Sequence, residues 1–160
     1  MQNFRDRCNI DEISLKILGL LQENARMSYT EIGQKIGMSS SSVKERVQRL
    51  EETGIIDKYT IKLNNEKLGY PITAITLWTC ADAYIPKEQM LVDILKKYPQ
   101  VLEVLRITGK NDFMVKFCAK TMEECKEITD KLGRYGQIET SFVVTSFVNN
   151  SDINFSNSVS

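Results

Sequence analysis

The hydrophobic rhythm of this chain changes once, at residues 64–70, and that change limits the fold more than any other feature. Before it, apolar residues recur every three or four positions, as on one buried helical face. After it, β-branched and aromatic runs alternate with two helical stretches. The segment "NNEKLGY", followed by Pro71, fits neither pattern and is typical of a linker. We therefore expect two small domains, residues 1–63 and 71–149, joined by this linker, and a polar, flexible tail over 150–160.

The first domain is predicted to contain three helices. The first helix carries an inward stripe at positions i, i+4, i+7 and i+8, made of Ile13, Ile17, Leu20 and Leu21. Leu15 and Leu18 fall off this stripe, which indicates that the helix also contacts something outside its own domain.

A tight turn separates the second and third helices. In "SYTE", Ser28 can accept from a backbone N–H while Glu31 reaches back, which is a capping box. Gly37 can adopt the left-handed conformation that ends this helix, and Ser39 or its neighbour caps the next one. The stretch "EIGQKIGMSSSSV" is therefore typical of a helix-turn-helix.

The third helix presents a basic face behind four consecutive serines. In a helix-turn-helix, the N-terminal residues of the second paired helix lie nearest the base edges of the major groove. Small hydroxyl groups allow close approach there and bond to bases or phosphates. Alternatively, the serines only cap the helix and the basic side chains only solvate it, although one serine suffices for a cap. We predict a DNA-binding surface made of Ser40, Ser41, Ser42, Lys44, Arg46, Gln48 and Arg49.

Residues 55–64 are predicted to complete a winged helix-turn-helix. Their sequence, "IIDKYTIKLN", is β-branched and roughly alternating, and it follows the helix-ending Gly54. We therefore expect a strand that pairs as a wing beside the third helix.

The second domain has the pattern β-α-β-β-α-β. Strands are predicted over 71–81, 101–108, 112–120 and 138–148, with one helix opening at Pro86. A second helix begins with a capping box at Thr121 and Glu124 and bears Met122, Cys125, Ile128 and Leu132. This order is that of a ferredoxin-like sheet with helices on one face. The fold class is therefore α+β, a winged helix-turn-helix followed by a ferredoxin-like βαββαβ domain.

Apolar side chains occupy both faces of the predicted sheet. They are Ile75, Leu77, Trp78, Phe142, Val143 and Phe147. Helices can cover one face only, so the other is expected to bury itself against a second copy of the chain, and a symmetric dimer is the simplest arrangement.

Composition excludes several classes of function. The 160 residues contain no histidine, and the four cysteines show no CxxC spacing, so we assign no catalytic residue, metal ligand, disulfide or cofactor. The numbers of basic and acidic residues are equal, 21 each, so any DNA-binding surface must be local. No apolar run is long enough to span a membrane and the start resembles no signal peptide, so the expected compartment is the cytoplasm.

The motifs together resemble those of the Lrp/AsnC (leucine-responsive, feast/famine) regulators over about residues 9–148. The matching positions in the first domain are Asp11, Met38, Ser39, Val43, Arg46, Val47, Leu50, Glu51, Gly54, Ile55 and Ile56. In the second domain the family's "G-x-x-D-F" corresponds to Gly109, Asp112 and Phe113. One departure is Ser14, where many members carry a second Asp. It puts a local helix contact in doubt.

The resemblance implies a homodimer or higher homo-oligomer that binds pseudo-palindromic double-stranded DNA and responds to amino acids held between effector domains. An amino acid needs an acceptor for its ammonium group, which Asp112 can supply, and donors for its carboxylate, such as backbone N–H groups beside Gly109. Thr108 and Thr140 are predicted neighbours in this effector site. The alternative is that "GKND" is only a hairpin turn between two strands.

Two other classes of function stay open from the sequence. Some Lrp-like chains are sirohaem decarboxylases, although the missing histidines and the serine-rich basic helix argue against such an enzyme here. The second possibility is a DNA-binding assembly protein whose ferredoxin-like domain associates but senses nothing.

Overall fold

The computed structural model describes residues 10–81, 88–147 and 153–155. The chain forms two compact units. One holds the residues up to Ile61 together with the segment from Val148 onwards, and the other holds Lys62–Phe147. In the described part of the chain, no helix combines the length and the apolar character that a bilayer crossing requires.

The described part of the first unit contains three helices, α1 (Glu12–Glu23), α2 (Tyr29–Ile36) and α3 (Ser40–Glu52). They bury one apolar cluster made of Ile17, Leu18, Leu20, Leu21, Ile32, Val43, Val47 and Leu50. The predicted stripe of α1 needs two corrections. Ile13, on the first turn, is exposed, and Leu18 is buried in the core of its own unit. Leu15 packs at the edge of the same core.

Two glycines shape the turn between α2 and α3. Gly37 ends α2 in the left-handed conformation, with φ of 72°, as its position after the helix predicts. Gly33 lies inside α2, and an added Cβ there would overlap the carbonyl oxygen of Met38. The backbone N–H of Met38 donates to the carbonyl of Gly33 at 2.9 Å, so the turn folds back closely on the helix.

The predicted wing strand is wrong: no strand is present within residues 55–64. Strands need a hydrogen-bonded neighbour, and no strand of this chain pairs with this segment in the part that the structure describes. Tyr59 instead donates its hydroxyl to Glu51 Oε1 at 2.9 Å, and Ile61 and Leu63 are exposed. Residues 65–69 then form a hydrogen-bonded turn, in which the Tyr70 N–H donates to the Asn65 carbonyl.

The second unit confirms the ferredoxin-like order. Its elements are β1 (Ile72–Cys80), α4 (Glu88–Leu95), β2 (Val101–Arg106), β3 (Phe113–Ala119), α5 (Met122–Gly133) and β4 (Gly136–Phe142). The strands lie in the order β2-β3-β1-β4, and every neighbouring pair is antiparallel. This is an α+β domain with the predicted βαββαβ connectivity.

The helices cover one face of this sheet. Their core residues pack on alternate strand residues, in a cluster that includes Leu95, Cys125, Ile128, Leu132, Ala74, Trp78, Val115 and Phe117. The Trp78 and Phe113 rings lie 5.5 Å apart. Met122, predicted on the inner face of α5, is exposed. The side chains of Cys80, Cys118 and Cys125 are buried, as their apolar neighbours predict, and Cys8 lies outside the described residues.

The last strand ends earlier than its apolar residues suggest. The sequence predicts a strand over 138–148, but β4 ends at Phe142. The Val143 N–H makes the last bond between β4 and β1, to the Thr73 carbonyl at 2.9 Å. Strand β1 begins at Ile72, directly after Pro71, which has no N–H to continue the pairing. The side chains of Val144 and Phe147 are consequently exposed.

Part of the tail is ordered, in contrast to the flexible tail predicted for 150–160. Ile153 and Phe155 both form backbone hydrogen bonds with the side chain of Gln22 on α1. Phe155 also packs against the apolar core of the helical unit. A segment of low apolar content was expected to stay unfolded, but a pre-formed helical surface supplies the contacts that its own sequence lacks.

Candidate functional site

The N-terminus of α3 is capped by Ser39. Its Oγ accepts from the Ser42 N–H at 3.2 Å, and it lies 3.0 Å from Ser41 Oγ and 2.9 Å from Ser42 Oγ. Ser39 thus performs the capping role that the sequence left open between neighbours. Ser40 and Ser41 are exposed and Ser42 is half-buried, so the first turn presents hydroxyl groups to the solvent beyond those that capping requires.

An exposed stripe continues from this first turn along α3. Ser41, Lys44 and Gln48 recur at i, i+3 and i+7, which places them on one face, and all three are exposed. Val43 and Val47 are fully buried on the opposite face. Glu45 adjoins the stripe and is also exposed. This surface offers hydroxyl, amide, ammonium and carboxylate groups, which are the side-chain types that bond to base edges and phosphates.

Arg46 points away from the stripe and binds α1. Its Nη1 donates to both carboxylate oxygens of Asp11, at 2.9 and 2.6 Å, and to Ser14 Oγ at 3.2 Å. Asp11 is also the N-cap of α1, since it accepts from the Ser14 N–H at 2.8 Å. The predicted DNA-binding role of Arg46 therefore competes with a contact inside its own unit. Ser14 takes part in this contact through its hydroxyl group and its backbone N–H.

The electrostatics of Asp11 reflect these partners. Partial burial by itself would raise the pKa of Asp11, but hydrogen bonds from the Ser14 hydroxyl and backbone, followed by the guanidinium of Arg46, lower the pKa from 3.8 to about 2. Asp11 is therefore ionised under ordinary conditions, and its charge holds Arg46 beside the start of α1.

Arg49 lies one helical turn from Arg46, and both residues line a groove on the surface of the helical unit. This groove, of about 470 Å³, is lined by Asp11, Ser14, Ser42, Glu45, Arg46, Arg49 and Thr53, among others. Arg49 is exposed, whereas Arg46 is half-buried. The predicted surface is thus divided between the stripe of Ser41, Lys44 and Gln48 and a second edge that carries Arg49.

The predicted effector loop, residues 108–112, is fastened to the end of β1. The Ile107 N–H donates to the Asp112 carbonyl at 2.9 Å, and the Asp112 N–H donates to the Trp78 carbonyl at 3.0 Å. Gly109 has φ of 119°, a conformation that favours glycine. Asn111 Nδ2 donates to Thr79 Oγ1 at 3.2 Å. The loop between β2 and β3 therefore has a defined shape.

Asp112 has two partners within the domain. Its Oδ2 accepts from the Cys80 N–H at 2.9 Å, and its Oδ1 lies 3.2 Å from Arg106 Nη1. The carbon of the Arg106 guanidinium also lies 4.8 Å from the centre of the Phe113 ring. A carboxylate has about four lone-pair directions, so these contacts leave Asp112 able to accept a further donor.

The other two predicted effector residues lie on different elements. Thr108 is exposed within the loop. Thr140 lies on β4 opposite Thr76 of β1, and the two hydroxyl oxygens are 2.8 Å apart. Thr140 is therefore bonded across the sheet, while Thr108, Gly109 and Asp112 share one loop.

Sequence reasoning missed one residue and two contacts that shape these sites. Arg106 is a cation beside Asp112, but the sequence pattern showed it only as one residue of a predicted strand and gave it no role at the site. The Arg46–Asp11 pair joins positions far apart in sequence, and the tight turn at Gly33 depends on a backbone contact. Within residues 10–81, 88–147 and 153–155, no cluster of three His, Cys, Asp or Glu side chains could hold a metal ion.

Two family models match the chain. Residues 10–57 match a winged helix-turn-helix DNA-binding model, and residues 87–153 match the Lrp/AsnC ligand binding domain. The first covers α1 to α3, and the second covers the loop that carries Asp112.

Known proteins are similar over most of their length. The HTH-type transcriptional regulator FL11 of Pyrococcus furiosus is 35% identical over 130 residues, which are 81% of this chain and 84% of FL11. The structure of Bacillus subtilis LrpC has a TM-score of 0.80 and 30% identity, covering 88% of this chain and 99% of LrpC. The Neisseria meningitidis regulator NMB0573, solved as an L-Met complex, shares the fold with a TM-score of 0.82 and 24% identity, covering 90% and 96%.

Proposed function

This chain belongs to the Lrp/AsnC family, and from that premise we propose that it is a transcriptional regulator that reads double-stranded DNA with α3. The single observation that carries this proposal is the exposed stripe of Ser41, Lys44 and Gln48, which starts at a capped helix N-terminus. A helix of this kind fits the major groove, with its first turn nearest the base edges.

The residues of α3 have different roles in this proposal. Ser41 and Gln48 read base edges, because hydroxyl and amide groups offer donors and acceptors in fixed directions. Ser40 and Ser42 contact phosphates at the helix N-terminus, where backbone N–H groups favour anions. Lys44 and Arg49 neutralise phosphates, which gives affinity without sequence preference.

Arg46 has a positioning role in this proposal. Its contacts with Asp11 and Ser14 tie α3 to the start of α1. Holding α3 in one position matters because base contacts require a fixed orientation on the duplex.

The segment 71–149 binds an amino acid or a related small metabolite in the proposal. Support comes from the match of residues 87–153 to a ligand-binding family model and from the L-Met complex of the N. meningitidis relative. Asp112 accepts the ammonium group of the ligand, and Thr108 and the backbone beside Gly109 donate to its carboxylate. Thr140, bonded to Thr76, supports the sheet next to this site.

The open face of the sheet supports a homodimer. Leu105, Met114 and Leu77 are cross-strand neighbours, and Ile75 lies on the same face two residues from Leu77. This face is opposite the helices, because residues alternate along a strand and Trp78 belongs to the helix-covered core. A second copy that covers these side chains removes them from water, and two copies double the DNA contacts.

The proposal assigns residues 1–63 to a DNA-binding domain and residues 64–70 to a linker. It assigns residues 71–149 to an effector-binding and oligomerisation domain and residues 150–160 to a tail. It describes a regulator and not an enzyme. The proposed place of action is the cytoplasm.

The test has two arms on the purified, full-length protein. Selection from a random pool of duplexes should enrich a pseudo-palindromic sequence, and no enrichment at moderate salt would contradict DNA reading. Calorimetric titration with a panel of amino acids should give heat with at least one of them. Binding of a tetrapyrrole in place of any amino acid would favour the enzyme class instead.

A further inference from the structure

The C-terminal segment Ile153–Phe155 lies against α1. Gln22 Nε2 donates to the Ile153 carbonyl at 2.8 Å, and the Phe155 N–H donates to Gln22 Oε1 at 2.8 Å. Gln22 is otherwise an exposed residue near the end of α1. Both halves of its carboxamide are therefore used to hold one stretch of backbone.

The contact has the pattern of strand recognition. The side-chain amide of Gln22 bonds to the carbonyl of Ile153 and to the N–H of Phe155. In an extended segment, these two backbone groups lie on the same edge. A residue of a neighbouring β-strand would make the same pair of bonds through its backbone, so the Gln22 side chain takes the place of such a residue. The half-buried Phe155 adds side-chain specificity, because its ring packs against the core that includes Ile17 and Leu21.

The path of the chain gives this contact its significance. The chain leaves the helical unit after Ile61, builds the second unit as far as Phe147, and contacts the helical unit again at Ile153 and Phe155. Residues 148–152 separate Phe147 from Ile153. The polypeptide thus enters the helical unit twice, and Gln22 and Phe155 hold the second passage.

We propose that Gln22 and the adjoining core edge form a capture site for the chain's own C-terminal tail, and that the captured tail acts as a releasable second tether on the DNA-binding unit. The intrachain occupant is favoured because only five residues, 148–152, separate Phe147 of the second unit from Ile153, which gives the tail a short reach. The effect on DNA rests on the proposed function, whereas the capture itself does not.

A tether of this kind affects DNA binding through preorganisation. A dimer that binds two half-sites must hold its two DNA-binding units at one spacing. The conformational freedom that these units lose on binding lowers the affinity for DNA. A second connection removes part of that freedom in advance. Release of the tail should therefore weaken binding to two half-sites several-fold and leave binding to a single half-site within about twofold.

The capture is tested first by hydrogen exchange on the full-length protein. We expect the Phe155 amide of the wild type to exchange about tenfold or more slowly than an unstructured peptide. Gln22→Ala should abolish this protection, and Glu23→Ala, on the neighbouring exposed residue, should retain it. A wild-type Phe155 amide that exchanges at the unstructured rate, or protection unchanged in Gln22→Ala, would overturn the proposal.

The tether is tested on duplexes that the wild type selects from a random pool, whole or cut to one half-site. Gln22→Ala and a chain shortened after Asp152 should both show the several-fold loss on the whole site only. Unchanged affinity in both variants would overturn the tether. If the wild type protects Phe155 but selects no DNA, the proposed function fails and the capture site stands.

A photoreactive benzoylphenylalanine in place of Phe155 identifies the occupant. Cross-linking to α1 within one chain, seen at monomer mass on a denaturing gel, supports the intrachain tether. A covalent dimer would overturn it, because the tail would then come from a second copy.

Discussion

Arg46 donates to both carboxylate oxygens of Asp11, while Asp11 caps α1 by accepting from the Ser14 N–H. One carboxylate therefore fixes the start of the first helix and the middle of the third. The position of the proposed reading helix depends on a charge 35 residues away in sequence.

The first prediction separates Arg46 from Arg49. Arg46→Ala should lower the free energy of unfolding by up to about 1 kcal/mol, because the lost ion pair is partly exposed. Arg49→Ala should leave stability within about 0.5 kcal/mol and reduce the salt slope of DNA binding by about one unit. Thermal unfolding and DNA titration at several salt concentrations measure both effects. Identical behaviour of the two variants would argue against a division of roles.

The second prediction concerns acid. Because the folded-state pKa of Asp11 is about 2 and the ordinary value is 3.8, its contribution to stability is present above the ordinary value and disappears as the pH falls through the interval between them. Asp11→Asn keeps an N-cap residue but lacks the charge. The stability difference between wild type and Asp11→Asn, measured by denaturant unfolding, should shrink over that interval. A difference independent of pH would contradict the role of the charge.

The third prediction divides specificity from affinity on α3. Ser41→Ala and Gln48→Ala should each relax the preference at one base position by about 1–3 kcal/mol. Lys44→Ala should weaken all sequences alike and flatten the salt slope by about one unit. Selection from a random pool, repeated with each variant, gives the comparison. An unchanged preferred sequence in both Ser41 and Gln48 variants would remove them from the reading surface.

The fourth prediction concerns Asp112. Asp112→Ala removes the carboxylate that accepts from the Cys80 N–H and should cost about 1–3 kcal/mol of stability. Asp112→Asn retains one acceptor oxygen, so it should be less destabilised, yet it should lose most of the stabilisation that an amino-acid ligand gives the wild type. Thermal shift with and without the amino-acid panel measures both. An Asn variant that responds like the wild type would assign Asp112 to the turn alone.

The fifth prediction compares two helical glycines. Gly33→Ala should destabilise the first unit by about 1–3 kcal/mol, because the new Cβ overlaps the Met38 carbonyl oxygen. Gly133→Ala is the matched control, since its Cβ would meet only Ile138 Cδ1, at 3.8 Å. That variant should be neutral or stabilised by up to about 1 kcal/mol. Circular dichroism melts of both variants test the difference, and equal effects would rule out a close turn.

Local signals explain what the sequence could predict. The capping residues Ser28 and Ser39, the helix-ending Gly37 and the strand order of the second unit all follow from short-range patterns, and the structure agrees with them. The apolar neighbours of Cys80, Cys118 and Cys125 in the sequence likewise agree with the burial of these side chains.

Long-range contacts explain what the sequence could not predict. Arg46 binds Asp11 at the start of another helix, and the partner of Gln22 is 131 residues away. The sequence around Arg46 or Gln22 therefore gives no indication of its partner. The end of β4 depends on where its neighbour β1 begins, and an alternating pattern over 55–64 does not create a strand without a partner.

Trp78 is the only tryptophan of the chain, and it is buried against Phe113 in the second unit. Its intrinsic fluorescence therefore reports on that unit alone, while α1, α2 and α3 contribute to the far-ultraviolet circular dichroism. If the two units melt separately, the two optical signals will give different midpoints on the same sample. An emission change on adding an amino acid will locate the response in residues 62–147 without any added dye.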